Sequence, residues 1–320
     1  MKTQLRIRLQ SLKSRGRGLY GLPRSFEKVK VCANPIFVIG SPRSGTTFLG
    51  WSLANHSWLW TSGESTLIRE IFNENGIATV DRTLEYAGVA GEGSWLHDEN
   101  VDRAELLARL GTGVNALYTS RSRGRRWLDH SPPHTLLVDV LAEVFPGAVF
   151  LHVLRDGRQV VHSMTHFLDA LPDERRQSFD GAGWTIPWLD FEVACATWSK
   201  YVDSAMRFAA REPGRCLTIL HSRFVSEPWF AYRDLFQFLG IPFEGGPIGY
   251  ARVERTNSSF PELPAREYWN PWNEWSEEQQ RTFVRIAGPT LVRYGLATWD
   301  ELEVKSHHGV VEPVPKEPVR

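Results

Sequence analysis

Residues 35–50, PIFVIGSPRSGTTFLG, constrain the fold more than any other stretch, because an apolar run leads into a loop bounded by two glycines and then into a helix. Ile36–Ile39 have the continuous apolar character of a buried parallel strand, and 47–54 place apolar residues at helical spacing. The loop has the glycine spacing of a nucleotide-hydrolase phosphate loop, but Thr46 stands where that loop carries lysine. Backbone amides and the helix dipole would converge on an anion here. The alternative is a tight turn selected for its backbone geometry alone.

Two later segments, AVFLHVL at 148–154 and CLTILH at 216–221, are also predicted as buried strands. Apolar spacing predicts helices at about 102–119, 135–145, 191–211, 229–239 and 276–294. Strands separated by helices indicate an α/β fold with a central parallel sheet flanked by helices. Ligands of such sheets bind at the carboxyl ends of the strands.

The composition argues against several classes of protein. The 320 residues are 42% hydrophobic and 23% charged, which is enough for one large core, with or without a subdomain. Lys plus Arg and Asp plus Glu both number 37, so no global basic field predicts a nucleic-acid partner, and an anion has to be bound locally. The three cysteines are too few and too scattered for a disulfide framework or a zinc site. With no long apolar run and a charged N-terminus, we expect a cytoplasmic protein.

The chain is predicted to divide into a basic N-terminal arm at 1–33, one domain at 34–304 and a disordered tail at 305–320. The first thirty residues carry nine lysines and arginines against one acid, Glu27. This arm is either solvated or a basic helix that touches anionic lipid.

A second loop, RDGRQVVHSM, follows the predicted strand at 148–154. Arg155 begins this loop, and Ser163 follows eight residues later on the next helix. A guanidinium fork and a hydroxyl would form a second anion site, and the alternative for Arg155 is a surface pair with Asp156. Two anion sites at the ends of two strands suggest a ligand with two separate phosphate groups.

The two loops together resemble those of sulfotransferases that use 3′-phosphoadenosine 5′-phosphosulfate (PAPS), in the branch of protein-tyrosine sulfotransferases and many bacterial sulfotransferases. PRSGTT is similar to the 5′-phosphosulfate loop and RDGRQVVHSM to the 3′-phosphate motif, and weaker similarity covers about 34–295. The resemblance implies a sulfotransferase fold related to P-loop NTPases, transfer of a sulfuryl group from PAPS to a hydroxyl, the product adenosine 3′,5′-bisphosphate (PAP), and no required metal.

The resemblance also implies roles for individual residues. The 3′-phosphate is expected on Arg155 and Ser163, and Arg43 is expected to stabilise the leaving phosphate. The other expected contacts of the 5′-phosphosulfate are Ser44, Gly45, Thr46 and Thr47. Arg255 and Ser258 are predicted to touch the cofactor, with an exposed turn as the alternative.

Glu64, 21 residues after Arg43, matches the family segment that supplies the general base. Its base role requires burial, and the alternative is a charge at a helix N-terminus. His56 is a rival base for which packing is favoured. His130 stands nearest a lysine of the family, and it could donate to the leaving oxygen, accept a proton or merely pack.

The acceptor side is less defined. We expect a hydroxyl or phenol on a small molecule or glycan, with 171–191 as a loop beside the site that could act as a lid. The alternatives to a sulfotransferase are a P-loop nucleotide kinase or NTPase and a non-catalytic nucleotide-binding scaffold.

Overall fold

The computed structural model describes residues 29–169, 171, 186–253 and 269–304. The elements below belong to the compact unit that begins at Cys32. Its centre is a five-stranded, all-parallel sheet in the order β2-β3-β1-β4-β5. The strands are β1 Ile36–Ile39, β2 Leu59–Thr61, β3 Arg126–Asp129, β4 Val149–Leu154 and β5 Cys216–Leu220.

Helices connect and cover these strands. Within the described residues the α-helices are α1 Thr46–Leu53, α2 Thr66–Phe72, α3 Glu74–Ala90, α4 Trp95–Asp98, α5 Arg103–Arg121, α6 Val138–Val144, α7 Gly157–Thr165, α8 Phe191–Arg211, α9 His221–Ser226, α10 Pro228–Leu239, α11 Gly246–Val253, α12 Glu277–Ile286 and α13 Gly288–Arg293. Short 3-10 helices lie at Pro132–Leu137, Pro187–Leu189, Pro271–Glu274 and Asp300–Leu302.

The central strand β1 is buried on both faces of the sheet. Phe37 and Ile39 pack into one apolar cluster, whereas Ile36 and Val38 pack into another on the opposite face. Alternate side chains of a strand point to opposite faces, so an unbroken apolar run is what a strand covered by helices on both sides requires. The predicted α/β fold with a helix-flanked parallel sheet is therefore confirmed.

Several predicted boundaries need correction. The strands β2 and β3 were absent from the sequence prediction, and His221 opens α9 instead of ending a strand. The helix predicted at 135–145 is a 3-10 turn followed by α6. The helix predicted at 276–294 is interrupted between α12 and α13, because Pro289 has no amide hydrogen and its ring collides with a preceding carbonyl.

Parts of the predicted organisation lie outside the described residues. These are most of the basic arm, the tail at 305–320 and the greater part of the 171–191 loop. The three-part division of the chain therefore stays a prediction. In the ranges that the structure covers, no helix is both long enough and apolar enough to cross a bilayer.

Candidate functional site

The loop between β1 and α1 has a backbone that only glycine accepts easily at its two ends. Gly40 has φ +156° and Gly45 has φ +101°. A Cβ atom on Gly40 would lie 2.8 Å from the carbonyl oxygen of Val153, and one on Gly45 would lie 2.8 Å from Cδ2 of His221. The two glycines therefore let the loop lie close against the ends of β4 and β5.

Thr135 holds the start of this loop. Its hydroxyl accepts a hydrogen bond from the amide of Gly40 at 2.8 Å and donates one to the carbonyl of the same residue at 3.0 Å. At the other end, none of the described side chains caps the N-terminus of α1, which begins after Gly45. The amide hydrogens of that first turn thus point toward the loop, where an anion would be stabilised.

The second loop, which follows β4, is joined directly to the first. Nε of Arg43 donates to Oγ of Ser163 at 3.2 Å, and Nη1 of Arg155 donates to the carbonyl oxygen of Arg43 at 3.0 Å. Because β1 and β4 are neighbouring parallel strands, their carboxyl ends bring the two predicted anion sites side by side.

Arg155 is further oriented by the helix that follows it. Its Nε donates to Oε1 of Gln159 at 3.0 Å. The side-chain Nε2 of Gln159 in turn donates to the carbonyl oxygen of Trp269 at 2.6 Å. Asp156 forms an ion pair with Arg158 and also caps α7. The structure therefore gives Arg155 a fixed orientation within the site, and the bidentate partner of Asp156 is Arg158.

The two central guanidinium groups are partly removed from water. Burial lowers the pKa of Arg43 to about 10, and the charge of Glu64 opposes this shift. Burial also lowers the pKa of Arg155 to about 10, and the charge of Arg43 lowers it further. Both groups remain protonated at neutral pH. Two adjacent cations of this kind are suited to a ligand with more than one negative charge.

Glu64 lies beside the first loop, where it contacts α1. Its Oε1 accepts a hydrogen bond from the hydroxyl of Thr47 at 2.5 Å and lies 4.0 Å from Nδ1 of His130. The N-cap of α2 is Ser65, whose side chain accepts from the amide of Leu67, so Glu64 faces the loop and not the helix end. The side chain of Glu64 is 47% exposed. Burial, which the sequence argument invoked for a base role, is therefore only partial, and that role rests on the position of Glu64 beside the loop.

A chain of hydroxyl groups fixes the turn that carries Glu64. The amide of Ser65 donates to Oγ of Ser131 at 2.8 Å, and Ser131 in turn donates to Oδ1 of Asp129 at 2.7 Å. Tyr118 donates to Oγ of Ser65 at 2.7 Å. Burial raises the pKa of Asp129, but the neighbouring His134, 3.2 Å away, and the hydrogen bonds from Ser131 outweigh this, and the pKa is lowered. The end of β3 thereby positions the Glu64 turn.

His130 is 1% exposed and packs against α1. A Cβ atom on Gly50 would overlap its ring at 2.1 Å, so only glycine allows this approach. Burial lowers the pKa of His130, with the charge of Glu64 opposing, so the imidazole is neutral at pH 7. Neither ring nitrogen has a hydrogen-bond partner within the described part of the chain. A neutral imidazole 4.0 Å from a carboxylate can exchange a proton with it after a small rotation.

The remaining predicted residues divide into two groups. His56 is buried, bonds the carbonyl of Pro242 at 2.9 Å and lies 3.8 Å from Glu244, contacts of the kind that the favoured packing role predicts. Arg255 and Ser258 lie outside the described residues, so their cofactor contact stays a prediction. Among the described residues, no cluster of three or more His, Cys, Asp or Glu could hold a metal ion.

Residues that the sequence argument missed complete the site. Three of them are uncharged hydrogen-bond partners of site residues, namely Thr135, Gln159 and Ser131. Only their position, just after strands or inside a motif, could have indicated in the sequence that they belong to the site. Phe48 and Tyr250 form an aromatic pair beside the loop, with ring centroids 6.4 Å apart. A glycine-bounded loop before a helix, a second cationic loop and an aromatic pair thus lie at the carboxyl edge of the parallel sheet of an α/β protein, the edge at which such sheets bind ligands.

Comparison with known proteins identifies the family to which this chain belongs. The model of the "Sulfotransferase family" matches residues 35–245, and the chain belongs to that family, as its paired loops predict. Protein-tyrosine sulfotransferase 1 of Danio rerio is 24% identical over 286 residues, covering 81% of this chain and 71% of that protein. An uncharacterized protein of Aquifex aeolicus is 25% identical over 288 residues, and the match spans 81% of this chain but only 34% of the relative. The sulfotransferase domain of the curacin biosynthetic pathway aligns with 82% of this chain and 97% of its own, with 18% identity and a TM-score of 0.48.

Proposed function

We propose that this protein transfers a sulfuryl group from PAPS to the hydroxyl of an acceptor, releasing PAP and a sulfate ester. The observation that carries the proposal is the joining of two cationic loops through Arg43, Ser163 and Arg155 at the ends of adjacent strands. Membership of the sulfotransferase family supports sulfuryl transfer and disfavours the kinase and scaffold alternatives.

The residues present fit the proposed donor. Its 5′-phosphosulfate fits the loop of Arg43, Ser44, Gly45, Thr46 and Thr47, where the amides of the first turn of α1 point. Its 3′-phosphate fits Arg155 and Ser163, and its adenine fits the aromatic pair of Phe48 and Tyr250, since purines stack on such rings. In the transfer, a bond forms between the acceptor oxygen and sulfur while the bond from sulfur to the 5′-phosphate oxygen breaks.

The side chains around the loop have distinct proposed tasks. Glu64 removes the proton of the acceptor hydroxyl, and the Ser131–Ser65 hydrogen bond keeps its turn in place. Arg43 stabilises the negative charge that develops on the leaving phosphate. Neutral His130 lies close to Glu64, where it either accepts the acceptor's proton from Glu64 or donates a hydrogen bond to the leaving oxygen.

Calorimetry tests the donor assignment. PAP should bind in the presence of a chelator and more tightly than ATP, because ATP has no 3′-phosphate for Arg155 and Ser163. Arg155→Ala should weaken PAP binding roughly 30-fold, which corresponds to about 2 kcal/mol for a lost charge-assisted hydrogen bond. Arg285→Ala, which removes an exposed pair with Glu192, is the control. Preferential binding of ATP would contradict the proposal.

The relatives include a protein-tyrosine sulfotransferase, and we propose a hydroxyl or phenol as the acceptor group here. The cytoplasmic location, a lipid contact of the basic arm and the freedom from a metal requirement also stay proposals.

A further inference from the structure

Trp51 is a large aromatic side chain that the structure leaves exposed beside the reactive residues. It lies on α1 one turn after Thr47, the residue whose hydroxyl binds Glu64. Trp51 is 40% exposed, in contrast to the aromatic residues of the core, which are nearly inaccessible to solvent. An exposed tryptophan next to a functional site indicates a contact surface for a ligand.

The ring of Trp51 lies next to two residues that adjoin the proposed base. Its Cζ2 atom would lie 3.4 Å from a Cβ on Gly63, the residue before Glu64. Its centroid lies 5.9 Å from that of His130, with the two planes at 60°. Gly63 has φ +90° and no side chain, so no side chain from this residue covers the edge of the tryptophan ring. The exposed ring of Trp51 therefore lies beside the turn that carries the half-exposed Glu64, and the buried ring of His130 is next to both residues.

We propose that Trp51 is the platform on which the acceptor rests, and that the acceptor hydroxyl is carried by an aromatic ring. This inference rests on the proposed sulfuryl transfer and adds a residue that determines specificity. A phenol packed against Trp51 would gain an aromatic contact and reach the carboxylate of Glu64 with its oxygen.

The acidity of the acceptor supports a phenol over an alcohol. A phenol has a pKa of about 10, so a carboxylate removes its proton far more easily than the proton of an alkyl hydroxyl. The side chain of Glu64 is about half exposed. The aromatic platform and the easier deprotonation of a phenol thus favour the same acceptor chemistry.

Kinetics with labelled PAPS and three acceptor probes test the inference. The probes are p-cresol, methyl β-glucopyranoside and 1-butanol, and we expect p-cresol to be the preferred acceptor. Trp51→Ala should raise the KM for p-cresol about tenfold while kcat changes less than twofold, and Trp51→Phe should retain most of the affinity. Trp58→Ala is the matched control, because Trp58 is 53% exposed and does not border Glu64 through any contact that the structure shows.

A binding measurement separates this inference from the donor assignment. Saturation-transfer NMR should detect p-cresol on the PAP-bound protein and lose that signal in Trp51→Ala, while calorimetry gives the same PAP affinity for both. An unchanged KM in Trp51→Ala, or preference for the glucoside or butanol, overturns the platform and leaves the donor assignment intact. Failure of the wild-type protein to bind PAP overturns both.

Discussion

The guanidinium of Arg43 is hydrogen-bonded to the hydroxyl of Ser163 at 3.2 Å, so a residue of the first loop contacts a residue of the second. The two residues are expected to bind opposite ends of the nucleotide. A ligand that carries phosphates at both ends would replace this contact with stronger charged ones.

Ser163→Ala is expected to lower PAP affinity about tenfold, the effect of one hydrogen bond to a charged group. The affinity for AMP, which lacks the 3′-phosphate, should change little. Calorimetry with both nucleotides measures the difference, and Ser226→Ala, an exposed serine on α9, serves as the control. Equal losses for PAP and AMP would contradict a 3′-phosphate contact.

Glu64→Gln is expected to lower kcat by at least about 100-fold, the usual contribution of a general base, with PAP affinity within about twofold of wild type. Glutamine retains an oxygen that can accept the hydrogen bond from Thr47. Single-turnover rates with labelled PAPS make the measurement, and Glu70→Gln on α2 is the control. An undiminished rate in Glu64→Gln would exclude Glu64 as the base.

Thr135→Val is expected to reduce the free energy of unfolding by about 2 kcal/mol, because two buried hydrogen bonds to Gly40 are lost without a change in side-chain shape. Urea denaturation measures the change. Thr112→Val removes only an exposed hydroxyl on α5 and should cost less than about 0.5 kcal/mol. A similar loss in both variants would show that Thr135 does not hold the loop.

The stability of the protein should fall in mild acid because of His152, whose burial lowers its pKa to about 3. The unfolded chain takes up this proton near pH 6.5, so stability is complete above that pH and decreases as the pH falls toward 3. At pH 5 the loss from this group is about 2 kcal/mol. Denaturation curves between pH 5 and 7.5 should show a shallower dependence for His152→Asn. His97→Gln, at an exposed pair with Asp98, should leave the slope unchanged, and identical slopes in all three proteins would contradict the assignment.

The sequence predicts the neighbouring strands β1, β4 and β5 but misses β2 and β3 on the other side of β1, for a physical reason. The central strand β1 is covered on both faces and reads as a continuous apolar run. By contrast, β3 begins at Arg126 and ends at Asp129. The charge of Arg126 is satisfied by distant partners, since Arg126 donates to the carbonyls of Asn34 and Leu239. Asp129 is held by Ser131 and His134, which follow it in the next turn of the chain. A local pattern cannot reveal partners that the fold brings together.

The candidate site shows the same division. Arg43, Arg155 and Ser163 are predictable because charged and hydroxyl residues follow apolar strands in two recognisable loops. Gln159 and Ser131 act only by hydrogen-bonding other site residues, and nothing in their spacing distinguishes them from ordinary polar residues. Trp51 is one of 13 tryptophans, and only its exposure in the folded protein sets it apart from those in the core.

The bond from Arg155 to the backbone of Arg43 means that the two loops cannot diverge independently. A substitution that moves one loop also moves the support of the other. Redesign of this protein for a different donor would therefore have to preserve the backbone path of the first loop, which supports Arg155, even where the side chains of residues 40–47 are exchanged.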